Sequence, residues 1–139
     1  MADRLDLLAV LHAAHAVEDE LEIKLNAIGL SAAKLAALRA LAEAGESLPL
    51  SQLAERLSCV KSNITQLIDR LEADGFVARA PDPGDRRSRL AVMTAAGRNA
   101  YEAGSRVQEE TERELFGALS ADEARQLASL MAKVTSRAL

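Results

Sequence analysis

Apolar positions recur three and four residues apart through Leu7, Val10, Leu11, Ala14, Val17, Leu21, Leu25 and Ile28, which predicts an amphipathic helix over about 3–26. Gly29 ends that pattern. Ser31 can cap a second, shorter helix whose inner positions are Leu35, Leu38, Leu41 and Ala42 and which stops at Gly45. Beyond Pro49, a third helix is predicted over 51–57, with Leu53, Ala54 and Leu57 inward. A turn at Ser58, Cys59 and Val60 leads to a fourth helix over 61–73, closed by Asp74-Gly75, with an apolar face of Ile64, Leu67, Ile68 and Leu71.

The period then drops to two. Residues 76–80 and 89–93 predict two strands, joined by a loop over 81–88 in which Pro81, Pro83 and Gly84 force turns and arginines project. Thr94 can cap a fifth helix running to about 119, whose inner stripe of Gly97, Ala100, Gly104 and Val107 is small enough to require close approach of another helix. Ser120 with Glu123 three residues on is a capping box, and it opens a final helix with Leu127, Leu130, Met131 and Val134 inward. The expected fold class is mainly α with a small β-hairpin wing, a winged helix-turn-helix over 30–94 flanked by helices over 1–28 and 95–139 in a single domain. Neither flanking region has an obvious partner within so small a central module. Leaving such seams in water forfeits roughly 25 cal/mol per Å² of apolar area, so a homodimer built through the flanking helices is expected.

Composition adds bounds. A chain of 139 residues, 49% apolar and 27% charged, is of single-domain size and ordinary globular balance. Its aromatic residues are only Phe76, Tyr101 and Phe116. The single cysteine, Cys59, cannot close an intramolecular disulfide, and no Cys/His cluster has zinc-finger spacing. The first residues lack the basic and apolar regions of a secretory signal, and no apolar run approaches membrane-spanning length, so the expected location is cytoplasmic with no membrane partner. A net charge of −4 argues against a polyanion partner only when averaged over the chain. Residues 56–98 hold eight Lys/Arg against five Asp/Glu, while the remainder holds nine against sixteen. The centre is basic and both flanks are acidic.

In a helix-turn-helix the second helix enters the major groove. Here that helix carries Lys61, Ser62, Asn63, Thr65, Gln66, Asp69 and Arg70 away from its apolar face. Gln66 and Asn63 can donate to and accept from adenine; Ser62 and Thr65 can bond bases or phosphates; Lys61 and Arg70 can neutralise phosphate or reach guanine. Arg79, Arg86 and Ser88 are expected phosphate contacts from the wing. Phosphate repels Asp69, which is expected to pair instead with an arginine such as Arg70 or Arg79. The expected partner is double-stranded DNA.

The residues Leu53-Ala54-Glu55-Arg56-Leu57, Thr65, Asp69-Arg70-Leu71-Glu72, Gly75-Phe76-Val77, Arg79, Asp85-Arg86-Arg87 and Thr94-Ala95-Ala96-Gly97 resemble the MarR family over about 30–97. The resemblance implies a homodimer of winged-helix subunits on a pseudo-palindromic operator, usually a repressor, with the terminal helices as dimer interface. It places Ser62, Asn63, Thr65, Gln66 and Arg70 on the recognition helix. Asp85 and Arg87 match the family's Asp-x-Arg wing pattern, which implies that Asp85 holds Arg87 in a salt bridge oriented for the minor groove. An arginine fixed in this way loses less entropy on docking. The resemblance also implies a small phenolic or anionic effector, bound between the dimerisation helices and the winged module, that alters the spacing of the two reading helices. Arg39 is a lone candidate to meet such an anion.

Other readings compete with these. A winged helix can serve protein–protein assembly without specific DNA binding, and Arg86, Arg87 and Arg89 can be solvated charges. His12, His15, Asp19 and Glu22 have helical spacing that could supply metal ligands, but no Cys or third His closes a site, and they read better as polar groups at a dimer seam. Cys59 precedes the N-terminus of the fourth helix, whose dipole favours thiolate, yet a small apolar filler is the simpler role. No metal, cofactor or catalytic residue is expected, since no nucleophile–base pair or glycine-rich phosphate loop is present.

Overall fold

The computed structural model describes residues 4–57 and 63–138. Within them the order is α1 (Leu7–Asn26), α2 (Ala32–Glu43), β1 (Ser47–Pro49), α3 (Leu50–Arg56), α4 (Ile64–Ala73), β2 (Val77–Asp82), β3 (Asp85–Met93), α5 (Ala95–Phe116) and α6 (Ala121–Ala138). The expected mainly α fold with a hairpin wing is present. The turn at Ser58, Cys59 and Val60 lies outside the described residues, as do Lys61 and Ser62.

Helix starts follow the polar residues that can satisfy the unbonded N–H groups of a first turn. Asp6 accepts from Ala9 N–H at 2.7 Å, Ser31 from Lys34 N–H at 3.1 Å and Thr94 from Gly97 N–H at 3.0 Å. Before α6 the capping box is reciprocal: Ser120 Oγ accepts from Glu123 N–H at 3.1 Å, and Glu123 Oε1 accepts from Ser120 N–H at 2.9 Å. The Ser120 backbone N–H, and after it the Ser120 side chain, hold the Glu123 carboxyl below the ordinary glutamate range.

The sheet differs from expectation in two respects. Its order is β1-β3-β2, antiparallel throughout, and the three-residue β1 is an addition to the two strands that the sequence predicts. Three residues are too few to display an alternation, and Pro49 marks β1 as an edge strand. The predicted eight-residue loop over 81–88 contracts to a two-residue turn at Pro83-Gly84, where Asp82 Oδ1 accepts from Gly84 N–H at 2.9 Å. Pro81 is tolerated within β2 because β2 is the other edge. The register jumps from Pro81↔Arg89 to Asp82↔Asp85, so Arg86, Arg87 and Ser88 form an unpaired bulge on β3.

The core is leucine-rich and lies between α2, α3, α4 and the sheet. Leu38, Leu41, Leu53, Ile68 and Leu71 are fully buried, with Val77, Ala91 and Met93 closing the sheet side. The small stripe of α5 does permit close approach, with backbone at one end and side chains at the other. A Cβ on Gly97 would lie 2.1 Å from the Phe76 carbonyl oxygen, and one on Gly104 would lie 2.8 Å from methyls of Leu30 and Leu35. The flanking seams stay uncovered within one chain: Leu7, Leu8 and Ile23 of α1 are exposed, as is every described side chain of α6, including Leu130, Met131 and Val134.

Candidate nucleic-acid interface

Leu67, Ile68 and Leu71 bury one face of α4, which leaves Asn63, Thr65, Gln66, Asp69, Arg70 and Glu72 exposed on the other sides. With about 3.6 residues per turn, those exposed positions divide into two flanks. Gln66 and Arg70 lie one turn apart and, with Asn63, border a cleft of about 280 Å³ whose other wall is Ser31, Ala33 and Lys34. Thr65, Asp69 and Glu72 lie on the flank toward the wing. The first flank is polar and cationic. The second carries two carboxylates.

Asn63, expected among the base contacts, is the N-cap of α4: its Oδ1 accepts from Thr65 N–H at 3.0 Å and from Gln66 N–H at 3.3 Å. That work falls to the oxygen and leaves the amide –NH₂ as a donor at the leading end of the helix. Arg79, expected as a phosphate contact, is placed differently. Its Nη2 donates to Asp69 Oδ1 at 2.8 Å and its Nη1 to Glu72 Oε1 at 2.5 Å, with the side chain only 23% exposed. The hydrogen bond to Asp69, assisted by Glu72, raises the guanidinium pKa above its ordinary value. The expected pairing of Asp69 with an arginine is present, and that arginine is Arg79.

The carboxylate after α4 is also paired, since Asp74 receives Lys34 Nζ of α2 at 2.7 Å. All three acids on α4 and at its C-cap are thus paired with cations of neighbouring elements, three carboxylates with two cations. At the far end of α4, Gly75 at φ +79° completes a Schellman motif, with Phe76 N–H on Leu71 C=O at 2.9 Å and Gly75 N–H on Glu72 C=O at 3.0 Å. That motif fixes where β2 begins.

The wing corrects one inference drawn from the resemblance. No ion pair joins Asp85 to Arg87. Asp85 Oδ1 instead accepts the backbone N–H of Arg87 at 2.9 Å. A short carboxylate inside a bulge reaches the amide two residues on more readily than a guanidinium extending outward. Asp85 shapes the bulge, and Arg86 and Arg87 are exposed from it, while Ser88 is half-buried. Arg89 is a further exposed basic position, one that the sequence pattern does not single out as part of the site. It stands on β3 opposite Pro81, and among the described residues Arg70, Arg86, Arg87 and Arg89 have no ion pair.

Away from this surface, a cleft of about 420 Å³ opens between α1, α2, α3 and α5, lined by Leu21, Leu35, Arg39, Arg56 and Gln108 among others. Arg39 Nη2 donates to Gln108 Oε1 at 3.0 Å. Arg39 is therefore not alone, because folding brings Arg56 to the same cleft from a different helix. His12, His15 and Asp19 are exposed on α1, whereas Glu22 is turned inward and accepts from Ala32 N–H. Among the described residues no group of three or more His, Cys, Asp or Glu could hold a metal ion, and no helix is long and apolar enough to cross a membrane.

Comparison with known proteins bears on this arrangement. A family model described as MarR family matches residues 30–88. The chain is 42% identical over 79 residues to the transcriptional activatory protein BadR of Rhodopseudomonas palustris, covering 55% of this chain and 45% of that protein. A second relative, the uncharacterised regulator YkoM of Bacillus subtilis, is 37% identical over 60% of this chain and 54% of its own length. The chain thus spans about half the length of the curated relatives it matches. Among solved structures, a cysteine-to-serine mutant of MarR from Escherichia coli in complex with operator DNA superposes with a TM-score of 0.80 at 27% identity, covering 92% of each chain. Sco5413, a MarR family transcriptional regulator from Streptomyces coelicolor, gives a TM-score of 0.81 at 28% identity over 95% of this chain and 91% of that one.

Proposed function

From its similarity to the MarR family over residues 30–88, we propose that this chain is a member of that family, a sequence-specific DNA-binding transcriptional regulator that acts as a homodimer on a pseudo-palindromic operator. The observation that carries this reading is the joint exposure of one polar helix flank and one arginine-bearing bulge. Asn63, Thr65, Gln66 and Arg70 stand on α4, and Arg86, Arg87 and Arg89 stand on the adjoining hairpin. A helix with short polar groups at its leading end suits base edges in a major groove, and a basic hairpin beside it suits the flanking backbone. Lys61 and Ser62, which directly precede Asn63 in the sequence, are assigned to DNA contact on their chemistry alone.

The roles divide by chemistry. Gln66 and the Asn63 amide supply base readout, Thr65 and Arg70 reach bases or nearby phosphates, and Arg86, Arg87 and Arg89 neutralise phosphate or enter the minor groove. Dimerisation falls to α1, α5 and α6, with 30–94 as the DNA-binding region. No catalytic role is assigned. The relative BadR is named as an activatory protein; for this chain the reading is repression relieved by a small anionic or phenolic effector. The cleft at Arg39 and Arg56 is where such a ligand would sit, between the flanking helices and the winged module.

Selection of duplexes from a random-sequence pool, followed by titration over a range of salt, tests the proposal. Binding should weaken steeply with salt, and Arg86→Ala/Arg87→Ala should shallow the log–log slope by ~0.9 for each phosphate that is no longer neutralised. Gln66→Ala should relax preference at one position per half-site, at about 1–3 kcal/mol. Failure to retain any duplex, or retention indifferent to salt, would refute it.

A further inference from the structure

A guanidinium that bridges two carboxylates on one helix ties its own strand to that helix in a defined orientation. Arg79 sits on β2, sharing a sheet face with buried Val77, and its fork spans Asp69 and Glu72, which lie three residues apart on the wing-side flank of α4. Each nitrogen of the fork meets a different carboxylate, so the pairing resists rotation as well as separation. On the other side of α4, Lys34 holds Asp74 to α2. The Schellman turn at Gly75 sets where β2 leaves α4; the burial of Val77, Ala91 and Met93 and the pairing of β3 with β1 seat the base of the hairpin, and Arg79 adds the polar tie between β2 and α4.

We propose that Arg79 is a positioning residue for DNA recognition, which by bridging Asp69 and Glu72 fixes the angle between α4 and the wing so that both present their cations to one duplex. The inference rests on the DNA-binding reading and deepens it. It assigns a use to carboxylates that would otherwise be a liability on a surface facing phosphate. Paired to Arg79, the two carboxylates keep a net charge of −1 in place of −2, so their repulsion of phosphate is halved, and the exposed arginines of the bulge are carried at a set distance from Gln66 and Arg70. Arg79 itself is spent on this pairing and makes no phosphate contact.

The opposite sign of two electrostatic effects makes the clamp testable. Removing negative charge from a DNA-facing helix should by itself tighten binding. Loss of the clamp should weaken it. The test uses full-length protein and a duplex that the wild type selects from a random pool, with affinity measured across salt concentrations and folded fraction followed by circular dichroism. Asp69→Asn/Glu72→Gln should bind several-fold more weakly than wild type at every salt concentration while remaining folded. Arg79→Gln should weaken binding by a similar factor and leave the salt slope unchanged, because the number of neutralised phosphates stays the same. Equal or tighter binding by Asp69→Asn/Glu72→Gln overturns the proposal. So does a slope shallower by ~0.9 in Arg79→Gln, which would mark a direct phosphate contact, and so does a loss of binding that merely tracks a loss of folded protein. If the wild type selects no duplex, the regulator reading falls and the clamp with it; if the wild type binds and the variants disobey, the clamp alone falls.

Discussion

Gly97 and Gly104 occupy the same stripe of α5, yet they face neighbours of different stiffness. At Gly97 an added methyl meets the backbone carbonyl of Phe76, which is itself fixed by accepting from Thr94 N–H at 3.0 Å. At Gly104 it meets leucine methyl ends, which can rotate aside. Gly97→Ala is therefore expected to destabilise by more than the ~1–3 kcal/mol typical of overpacking. Gly104→Ala should cost far less, because the ~1 kcal/mol by which alanine exceeds glycine in helix propensity offsets part of the strain. Thermal melting of the two variants decides this, and equal losses would refute the distinction. The sequence made the stripe legible but not this difference, since periodicity reports which face is inward and says nothing of what stands opposite. The same limit explains Arg79. Its type and place on a basic hairpin read as a phosphate contact, and only the fold brings Asp69 and Glu72 under its fork. Asn63 could be read either as a cap or as a reader of bases, and its oxygen is committed to the cap.

Among the elements, α6 depends most on its own ends, because none of its described side chains is buried within the chain. Its start is secured by the Ser120–Glu123 box. Ser120→Ala should lower stability by about 1 kcal/mol, as N-cap losses do. The Glu123 carboxyl lies below its ordinary range in the fold. Its contribution is therefore complete above the unfolded glutamate value of about 4.3 and is lost as pH falls through the lower folded value. The melting difference between wild type and Glu123→Gln should accordingly be present near about pH 7 and vanish toward about pH 3. A difference that holds constant across that range would count against the box. Capping boxes are readable because their residues are adjacent in sequence. The short β1 and the extended wing strands are not, because proline within a strand is acceptable only at an edge, and edges are a property of sheet order. Residues 81 and 83 therefore read as a long loop where the chain makes a two-residue turn.

At the scale of the molecule, two facts must be reconciled: the chain carries a net charge of −4, and its proposed partner is a polyanion. The excess of base is confined to residues 56–98, with eight Lys/Arg against five Asp/Glu, while the remainder holds nine against sixteen, so a duplex laid across α4 and the wing meets the net-basic stretch. This arrangement needs two modules held together, since adjacent half-sites are ~34 Å apart and one α4 reads only one of them. The exposed apolar residues of α1 and α6 supply the means. Leu7 and Leu8 are more than 70% exposed, and Leu130 and Val134 about 60%. Leu130→Glu/Val134→Glu should place charge in that seam without touching the winged core, because neither residue is buried in it. The variant is expected to sediment as a folded monomer where the wild type is a dimer. Its affinity for a full operator should drop toward that for a single half-site, because covalent-like linkage of two modules, worth an effective concentration of order mM, is gone. A monomeric variant that holds the full operator as tightly as the wild type would show that one winged module suffices, and the seam would then need another purpose.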